Sequence, residues 1–268
     1  MRIWGKVLGV FFGFMFGGPF GALLGLWLGH RFDKAVGGNF AFSAANSQAA
    51  QQAFLFSTFA VLGHIAKSKG VVTQQEIQVA NFLMDQMRLQ GEARRQAQDA
   101  FRQGKDADFP LEEQISQFVR AVNGRRDLLQ MFMEIQLQGV FADGVIDDSE
   151  HALLKRVAKA LGFSEPELQA MISRWEAELK FHRHGGGQRQ SAQSSAKQLE
   201  EAYQILGVSQ QDSDQQIKRA YRKLMTQHHP DKLVAKGLPP EMMELAKQRT
   251  QDIQQAYELV KQQRKSAS

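Results

Sequence analysis

The sequence contains no cysteine and only 6 prolines among its 268 residues. Without cysteine the chain has no disulfide framework, no thiolate zinc site and no cysteine nucleophile, which suits a reducing compartment. Aromatic residues that favour strands are few outside the N-terminus, and helical periodicity dominates from Ser47 onward. We therefore predict an all-α protein, and hydrophobic residues, 43% of the chain, are sufficient for a sizeable core.

Charged residues are missing from the stretch between Val7 and Gly29, which is 23 residues long. A helix of this length measures about 34 Å, enough to cross a bilayer. A secretory signal peptide is the alternative, but its apolar region should be shorter, and no small-x-small cleavage site closes this one. We predict a single transmembrane helix at residues 7–29, preceded by residues 1–6 and followed by a juxtamembrane linker at residues 30–47.

Glycine recurs at every fourth position of this predicted span. The row consists of Gly9, Gly13, Gly17, Gly21, Gly25 and Gly29. A row of this kind forms a smooth groove in which two membrane helices approach closely. We predict a homodimer through the transmembrane helix, the alternative being that glycine is simply common in membrane helices.

Residues 48–184 show the pattern of a compact helical domain. We predict seven helices, at Gln48–Lys69, Thr73–Leu89, Glu92–Gln103, Leu111–Val122, Arg125–Phe141, Asp147–Leu161 and Glu165–His182. The starts of three of them carry a capping pair, namely Thr73 with Glu76, Asp147 with Glu150, and Ser164 with Glu167.

An internal repeat lies within this domain. Residues 69–76 align with residues 143–150, and both copies contain Gly-x-[Val/Ile]-x-x-x-Glu between two predicted helices. The paired turns resemble those of TerB-like domains, a family linked to tellurite resistance and membrane-associated stress. The resemblance extends from about Phe54 to Leu179.

The second copy of the turn also has the composition of a cation site. Its acidic residues are Asp143, Asp147, Asp148 and Glu150. Hard cations bind such oxygens, but the spacing of an EF-hand is missing, and the first copy has Lys69 and Thr73 at the positions of two of these acids. Helix capping explains the acids better. His182 and His184 have no third ligand nearby in the sequence, so we predict no metal and no cofactor.

A Gly/Gln/Ser-rich stretch, residues 185–198, predicts a flexible linker to a C-terminal segment at residues 199–268. In this segment apolar residues recur at helical spacing in two stripes, Ile217, Ala220, Tyr221 and Leu224, and Ile253, Ala256, Tyr257 and Val260. Two such stripes on neighbouring helices predict an antiparallel helical hairpin.

The basicity of the chain is concentrated in the first helix of this hairpin and the loop after it. The whole chain has 33 Lys and Arg against 28 Asp and Glu, and Lys218 to Lys236 contains six of the former and one of the latter, so the remainder is balanced. The basic helix face carries Lys218, Arg219, Arg222 and Lys223. Nucleic-acid binding is one interpretation of such a patch, but the patch is small and the rest is neutral, so we predict no nucleic-acid partner.

Four motifs occur in order in the C-terminal segment. They are Tyr203-x-x-Leu206-Gly207-Val208, the basic helix, His229-Pro230-Asp231 and Ala256-Tyr257. Together they resemble a J domain, the module by which DnaJ-type co-chaperones act on DnaK-class chaperones. The resemblance implies that the basic helix binds an acidic groove of the chaperone, and that His229, Pro230 and Asp231 promote ATP hydrolysis by it. The chain itself is then not an enzyme.

Some features depart from the J-domain pattern. The loop after Asp231 is long and contains Gly237, Pro239 and Pro240, and Thr250 stands where many J domains have a packing Phe. No Gly/Phe-rich stretch or Cys-x-x-Cys repeat accompanies the motif. We therefore expect a chaperone recruiter or regulator rather than a protein that handles clients itself.

The three parts together resemble membrane-anchored DnaJ-like co-chaperones. This resemblance implies a single-pass protein of the bacterial inner membrane, dimeric, and associated with capsule-synthesis signalling through an envelope phosphorelay. Flanking charges do not orient the span. Because DnaK-class chaperones consume ATP, we predict a periplasmic N-terminus and cytoplasmic C-terminal domains. The alternative function is a membrane-bound structural adaptor whose middle domain recruits partners, with a vestigial J domain.

Overall fold

The computed structural model describes residues 47–70, 72–141, 146–185 and 192–266, which contain helices and turns but no strand. This confirms the predicted all-α class. The predicted transmembrane helix with its glycine row and residues 1–6 lie outside the described residues. From Ala50 onward the chain packs as one compact unit.

Seven helices form what we call the middle domain. They are α1 (Ser47–Lys67), α2 (Gln74–Gln86), α3 (Gly91–Gly104), α4 (Leu111–Ala121), α5 (Arg126–Val140), α6 (Asp148–Ala160) and α7 (Glu165–Gly185). Each coincides with a predicted helix, with ends that differ by a few residues. Helix α5 lies at the centre, because most of its residues from Leu128 to Leu137 are buried.

Helix α1 is long and apolar enough to cross a membrane, with a mean hydropathy of 1.2 in its most apolar window. However, 61% of that window is buried inside the protein, and Phe54 of α1 packs edge-on against Phe118 and Phe132. Helix α1 is therefore a core helix of the middle domain, distinct from the span predicted at residues 7–29.

The close packing of α1 on α3 explains two glycines. A Cβ on Gly104 would lie 1.8 Å from the carbonyl oxygen of Ala60, and one on Gly63 would lie 2.1 Å from that of Phe101. The two backbones therefore approach to a distance that only glycine allows.

The internal repeat appears as two equivalent helix starts. Thr73 with Glu76 at α2, and Asp147 with Glu150 at α6, each form a reciprocal capping box. The two turns also meet, because Ser68 and Ser149 hydroxyls lie 3.2 Å apart. The predicted duplication is thus a structural one, and capping satisfies backbone N–H groups that the first turn of a helix leaves without partners.

The remaining helices form what we call the C-terminal module. They are α8 (Ala192–Leu206), α9 (Asp214–His228), α10 (Pro230–Ala235) and α11 (Met243–Ser266), with a 3-10 turn at Pro240–Met242. The predicted hairpin is α9 packed on α11, and the rings of Tyr221 and Tyr257 stack at 4.1 Å. The segment between the hairpin helices, predicted only as a loop, contains α10 and the 3-10 turn.

The predicted flexible linker at residues 185–198 is wrong in part. Helix α7 extends to Gly185 and α8 begins at Ala192, so that only residues 186–191 fall between the helices, outside the described residues. Helix α8 packs along α7, where Ala177 and Phe181 join a cluster that includes Ala202 and Tyr203. The buried apolar residues of α8 stabilise a helix where the amino-acid composition indicates a linker.

Candidate functional site

The His-Pro-Asp motif lies where α9 ends and α10 begins. His229 has extended backbone angles and is the N-cap of α10, and Pro230 occupies the first turn of that helix. Proline fits there because the N–H that it lacks would have no helical partner, and its fixed φ suits the helix start. The side chains of His229 and Asp231 are exposed, and Pro230 is half-buried.

The basic residues predicted for the site share the outer side of α9. All four are exposed, namely Lys218, Arg219, Arg222 and Lys223. The opposite side of the helix is buried through Ile217 and Leu224. The structure thus places the four cations on the same short module as the exposed histidine and aspartate of the motif, open to solvent.

Arg264, near the end of α11, fixes the start of α9. Its guanidinium donates to the carbonyl oxygens of Gln210 at 3.0 Å and Asp212 at 2.9 Å, and pairs with the Asp214 carboxylate at 2.5 Å. Sequence reasoning missed this residue, because a single arginine near a helix end has no distinguishing pattern. Its contacts hold together the two helices that frame the motif.

Apolar side chains of the C-terminal module enter the core of the middle domain. They come from α10, the following loop and the start of α11, and are Leu233, Leu238, Met242, Leu245 and Ala246. In the other direction, Ala177 and Phe181 of α7 pack in the core of the module. The two regions therefore share their hydrophobic cores, and the long loop that departs from the J-domain pattern is one of the segments that joins them.

A buried ion pair also joins the two regions at the end of α9. The Nε2 atom of His228 lies 3.0 and 3.1 Å from the two carboxylate oxygens of Glu134, and its Nδ1 lies 3.0 Å from the carbonyl oxygen of Leu224. Both partners of the imidazole are acceptors, so both ring nitrogens must donate, and the ring is then a cation. His228 is only 4% exposed.

The pKa values of this pair shift in the directions that its ion pairing requires. Burial by itself lowers the pKa of His228, but the Glu134 carboxylate outweighs burial and raises it above 6.5. Burial by itself raises the pKa of Glu134, but His228 and Arg249 lower it to about 2. Each residue of the pair therefore favours the charged form of the other.

Arg249 of α11 extends the pair into a cluster. Its guanidinium donates to the buried carboxylate of Glu178, its Nε lies 3.9 Å from a Glu134 oxygen, and it stacks on the ring of Trp175 at 3.9 Å. We call Glu134, Glu178, His228 and Arg249 the interdomain charge cluster. Its two carboxylates belong to the middle domain and its two cations to the C-terminal module.

Further contacts surround the loop after the motif. The Lys236 ammonium pairs with Asp127, and Arg125 donates to the Lys236 carbonyl oxygen. Gly237 has a φ of +110°, which other residues rarely adopt, and a Cβ there would lie 3.1 Å from that of Ala50. The backbone conformation therefore favours glycine, and a larger residue would also make a tight contact with Ala50.

A cavity of about 720 Å³ lies beside the charge cluster, bounded by α2, α5, α7 and α11. Its lining combines apolar residues such as Met131 and Ile135 with Glu134, Glu178 and Arg249. Phe82 contributes to the lining and is 56% exposed.

In the acidic turn that has the composition of a cation site, the carboxylates cap a helix and pair with a lysine. The Asp147 and Glu150 carboxylates accept from each other's backbone N–H groups, and Lys69 lies 3.5 and 2.9 Å from them. Asp143 is outside the described residues, and His182 pairs with Asp252 at 3.2 Å. The described part of the chain contains no group of three metal-ligating side chains.

Three family models match the chain in sequence order. The model described as Co-chaperone DjlA transmembrane domain matches residues 1–49, that of Tellurite resistance protein TerB matches residues 56–172, and that of the DnaJ domain matches residues 201–268. They confirm the predicted resemblances to a membrane anchor, a TerB-like domain and a J domain.

Similar proteins align with nearly the whole chain. The Co-chaperone protein DjlA of Shewanella oneidensis is 51% identical over 266 residues, which cover 98% of this chain and 99% of the relative. The proteins of the same name from Photobacterium profundum and Vibrio cholerae are 50% and 52% identical, each covering 97% of this chain and 98% of its own length. No solved structure matches the chain.

Proposed function

This chain belongs to the family of co-chaperone DjlA proteins, and from that premise we propose that it stimulates ATP hydrolysis by a DnaK-class chaperone through His229, Pro230 and Asp231. The family gives the chain a J domain, whose partner is a DnaK-class chaperone, and an N-terminal transmembrane domain that associates it with a membrane. Its role is to regulate another protein's catalysis.

One observation supports the proposal most directly. The C-terminal module is packed against the middle domain, and yet His229, Asp231 and the four basic residues of α9 all remain exposed. A surface that served only to hold the two regions together would be buried. The exposed set is therefore available to a separate protein.

The geometry supports a division of labour within this set. The cations Lys218, Arg219, Arg222 and Lys223 attract an acidic surface and accelerate the encounter. Pro230 restricts the backbone at the start of α10, so that Asp231 is presented in a fixed orientation. Binding of these residues would favour the hydrolysing conformation of the chaperone and thereby shift its population.

Single-turnover ATP hydrolysis by purified DnaK-class chaperone tests the proposal, with the full chain in detergent or nanodiscs. The parent chain should accelerate hydrolysis, and His229→Gln and Asp231→Asn should each lose the acceleration. Asp108→Asn changes an exposed aspartate of the middle domain and is the matched control. Equal rates with and without the parent chain at saturating concentration would refute the proposal.

We also propose that the chain crosses the bacterial inner membrane once, with residues 1–6 periplasmic and the C-terminal domains cytoplasmic. The support is that the chaperone partner requires ATP. Because the chain has no cysteine, a single cysteine at Asp108 or Lys197, both exposed, reports its side of the membrane. A membrane-impermeant maleimide should label it only after the inner membrane is broken, and labelling in intact spheroplasts would reverse the orientation.

The proposed homodimer depends on the glycine row of the transmembrane domain. Gly17→Leu with Gly21→Leu places bulky side chains in the groove and should abolish self-association in a membrane dimerisation assay. Leu24→Gly, off the row, is the control and should leave the dimer intact. Dimers that survive the glycine changes would remove the row from the interface.

The link to capsule signalling is supported by the family resemblance alone. We propose that chaperone regulation at the membrane feeds an envelope pathway that controls capsule synthesis. Overproduction of the chain should then raise capsular polysaccharide, and His229→Gln should not. A rise with both chains would instead favour the adaptor function, in which the J domain is vestigial and the middle domain recruits the partner.

A further inference from the structure

The described contacts between the middle domain and the C-terminal module connect directly to the His-Pro-Asp motif. We infer that the middle domain is the docking surface of the chain's own J module, and that Glu134 is a positioning residue that sets how His229, Pro230 and Asp231 are presented to the chaperone. The effect on presentation rests on the proposed function, whereas the docking does not.

The first step of the argument is the position of His228. It is the last residue of α9, and His229, which follows directly, is the N-cap of α10. The His228 imidazole is held at both nitrogens, by the Leu224 carbonyl of its own helix and by the Glu134 carboxylate. Glu134 therefore fixes the end of α9 relative to the middle domain at the point where the motif begins.

The second step is the charge balance of the interdomain charge cluster. Glu134 and Glu178 face His228 and Arg249, and all four are buried. Buried charges are costly unless they are paired, so a shifted arrangement of the module would leave at least one of them buried without its partner. Such a cluster selects one docking orientation, which a purely apolar contact would not do.

The third step is the apolar contact that accompanies the cluster. Leu233, Leu238 and Met242 follow the motif and belong to the core of the middle domain. They lie within and just after the long loop that departs from the usual J-domain pattern, and Gly237 gives that loop a conformation that brings it against Ala50. The insertion thus has a structural role, which is to bind the middle domain on the C-terminal side of the motif.

The fourth step is that docking leaves the chaperone-facing residues accessible. His228, on the N-terminal side of the motif, and Leu233, on its C-terminal side, are buried, whereas His229 and Asp231 between them are exposed. The docked arrangement therefore presents the motif and does not block it. The middle domain holds the motif at both ends.

Cross-linking of the full chain tests the docking. Arg125 of the middle domain and Lys236 of the module are both exposed and in contact. Because the chain has no native cysteine, Arg125→Cys with Lys236→Cys creates one reactive pair for a short bis-maleimide. In the docked chain this pair should form a rapid intramolecular cross-link, measured as a shift in electrophoretic mobility in detergent or nanodiscs.

Three changes, each made in the chain with Arg125→Cys and Lys236→Cys, then test whether Glu134 holds the module in its docked position. Glu134→Leu leaves the buried His228 without its carboxylate and should slow cross-linking at least about tenfold. Glu134→Leu with His228→Leu removes both charges and should restore the rate, because an apolar pair of similar volume replaces a buried ion pair at little cost. Glu113→Leu, at an exposed position of α4, is the matched control and should leave the rate unchanged.

The stimulation of the chaperone by the same variants tests whether Glu134 affects how the His-Pro-Asp motif is presented. At a subsaturating concentration of the chain, Glu134→Leu should reduce the acceleration of single-turnover ATP hydrolysis about fivefold or more. Cross-linking this variant to completion, or adding His228→Leu, should restore the acceleration. A merely unfolded module would not be recovered by the cross-link. Rapid cross-linking in Glu134→Leu, or slow cross-linking with full stimulation, would overturn the inference.

The two proposals fail in different ways. If the parent chain cross-links rapidly but never accelerates hydrolysis, the proposed function is wrong and the docking stands. If His229→Gln loses stimulation while its cross-linking stays rapid, the function is supported independently of Glu134. A parent chain that does not cross-link refutes the docking whatever its effect on the chaperone.

Discussion

The exposed cations of α9 and its buried cation have different surroundings. Lys218, Arg219, Arg222 and Lys223 lie along its outer side in contact with solvent, whereas His228 at its last position is buried against Glu134. Exposed charges are weakened by solvent and salt and act mainly on the encounter with a partner. A buried charge acts on geometry, because it is stable only where its counter-charge lies. Under the proposed function, the exposed cations of α9 therefore serve the encounter with the chaperone, whereas its buried histidine fixes the position of the helix.

The adjacent histidines give the largest contrast. His229→Gln should eliminate chaperone stimulation and leave the free energy of unfolding unchanged, since its side chain is exposed. His228→Leu should lower the free energy of unfolding by removing the cation that pairs with Glu134, while leaving residual stimulation. Urea unfolding and single-turnover hydrolysis on the same samples measure both. Complete loss of stimulation in His228→Leu, or a lower free energy of unfolding in His229→Gln, would contradict the division.

Two arginines test the cost of burial. Arg249→Leu leaves the buried Glu178 carboxylate without its cation and should lower the free energy of unfolding by about 3–5 kcal/mol. Arg102, 70% exposed and paired with Asp99 at 2.8 Å, is the matched control, and Arg102→Leu should cost at most about 1 kcal/mol. Urea unfolding followed by circular dichroism measures both. Equal costs would show that the interdomain charge cluster is not effectively buried.

Salt separates the exposed cations from the buried ones. Lys218→Ala with Arg222→Ala should slow chaperone binding about tenfold at low ionic strength, with a smaller effect at high salt because the charges act through solvent. Lys197→Ala, an exposed cation on α8, should have little effect. Association rates from stopped-flow fluorescence provide the measurement. The rate of the Arg125/Lys236 cysteine cross-link should change little over the same range of salt.

The pH dependence of docking is the smallest expected effect. The charged groups that act on His228 are Glu134 on α5 and Arg174 on α7. Arg249 on α11 contacts Glu134 in turn and pairs with Glu178 on α7. The pKa of His228 is raised, so its contribution is complete below pH 6.5 and decreases as pH rises through the raised pKa, by at most about 1.4 kcal/mol per pH unit. The contribution of Glu134 is complete above pH 4.5 and is lost as pH falls through about 2.

We therefore expect docking to be strongest between pH 4.5 and 6.5 and to weaken above that range. Hydrogen exchange of the Leu233 amide, which bonds to the His229 carbonyl at 3.0 Å, measures this after correction for intrinsic exchange. Glu134→Leu with His228→Leu should abolish the dependence. If the pH dependence of exchange is the same in the double variant, the titrating group is a different one.

Most of the secondary structure could be predicted from the sequence because its signals are local. In the capping pairs Thr73 with Glu76 and Asp147 with Glu150, the two residues are three positions apart. The stripes that contain Tyr221 and Tyr257 have the period of a helix. The exposed part of the site could also be predicted, because its motifs are contiguous. In each case the information lies within a few turns of helix.

The docking could not be predicted in this way. Glu134 and His228 are 94 residues apart, and nothing in the sequence near either residue identifies the other. Glu134 is one more polar residue in an amphipathic helix, and His228 is overshadowed by the motif that follows it. The glycines near residue 186 predicted a linker between the two regions, but a linker at one point of the sequence does not prevent association through contacts elsewhere.

The placement of Leu233, Leu238 and Met242 in the core of the middle domain has a consequence for deletion studies. A chain shortened before α8 loses the side chains that fill this part of the core, which leaves a hole lined by apolar groups. Aggregation or proteolysis of such a shortened chain in cells would then follow from its own exposed interior. A phenotype obtained by excising the last 70 or so residues would combine two defects. By contrast, His229→Gln changes one exposed side chain of the proposed chaperone-binding motif and leaves the interior filled.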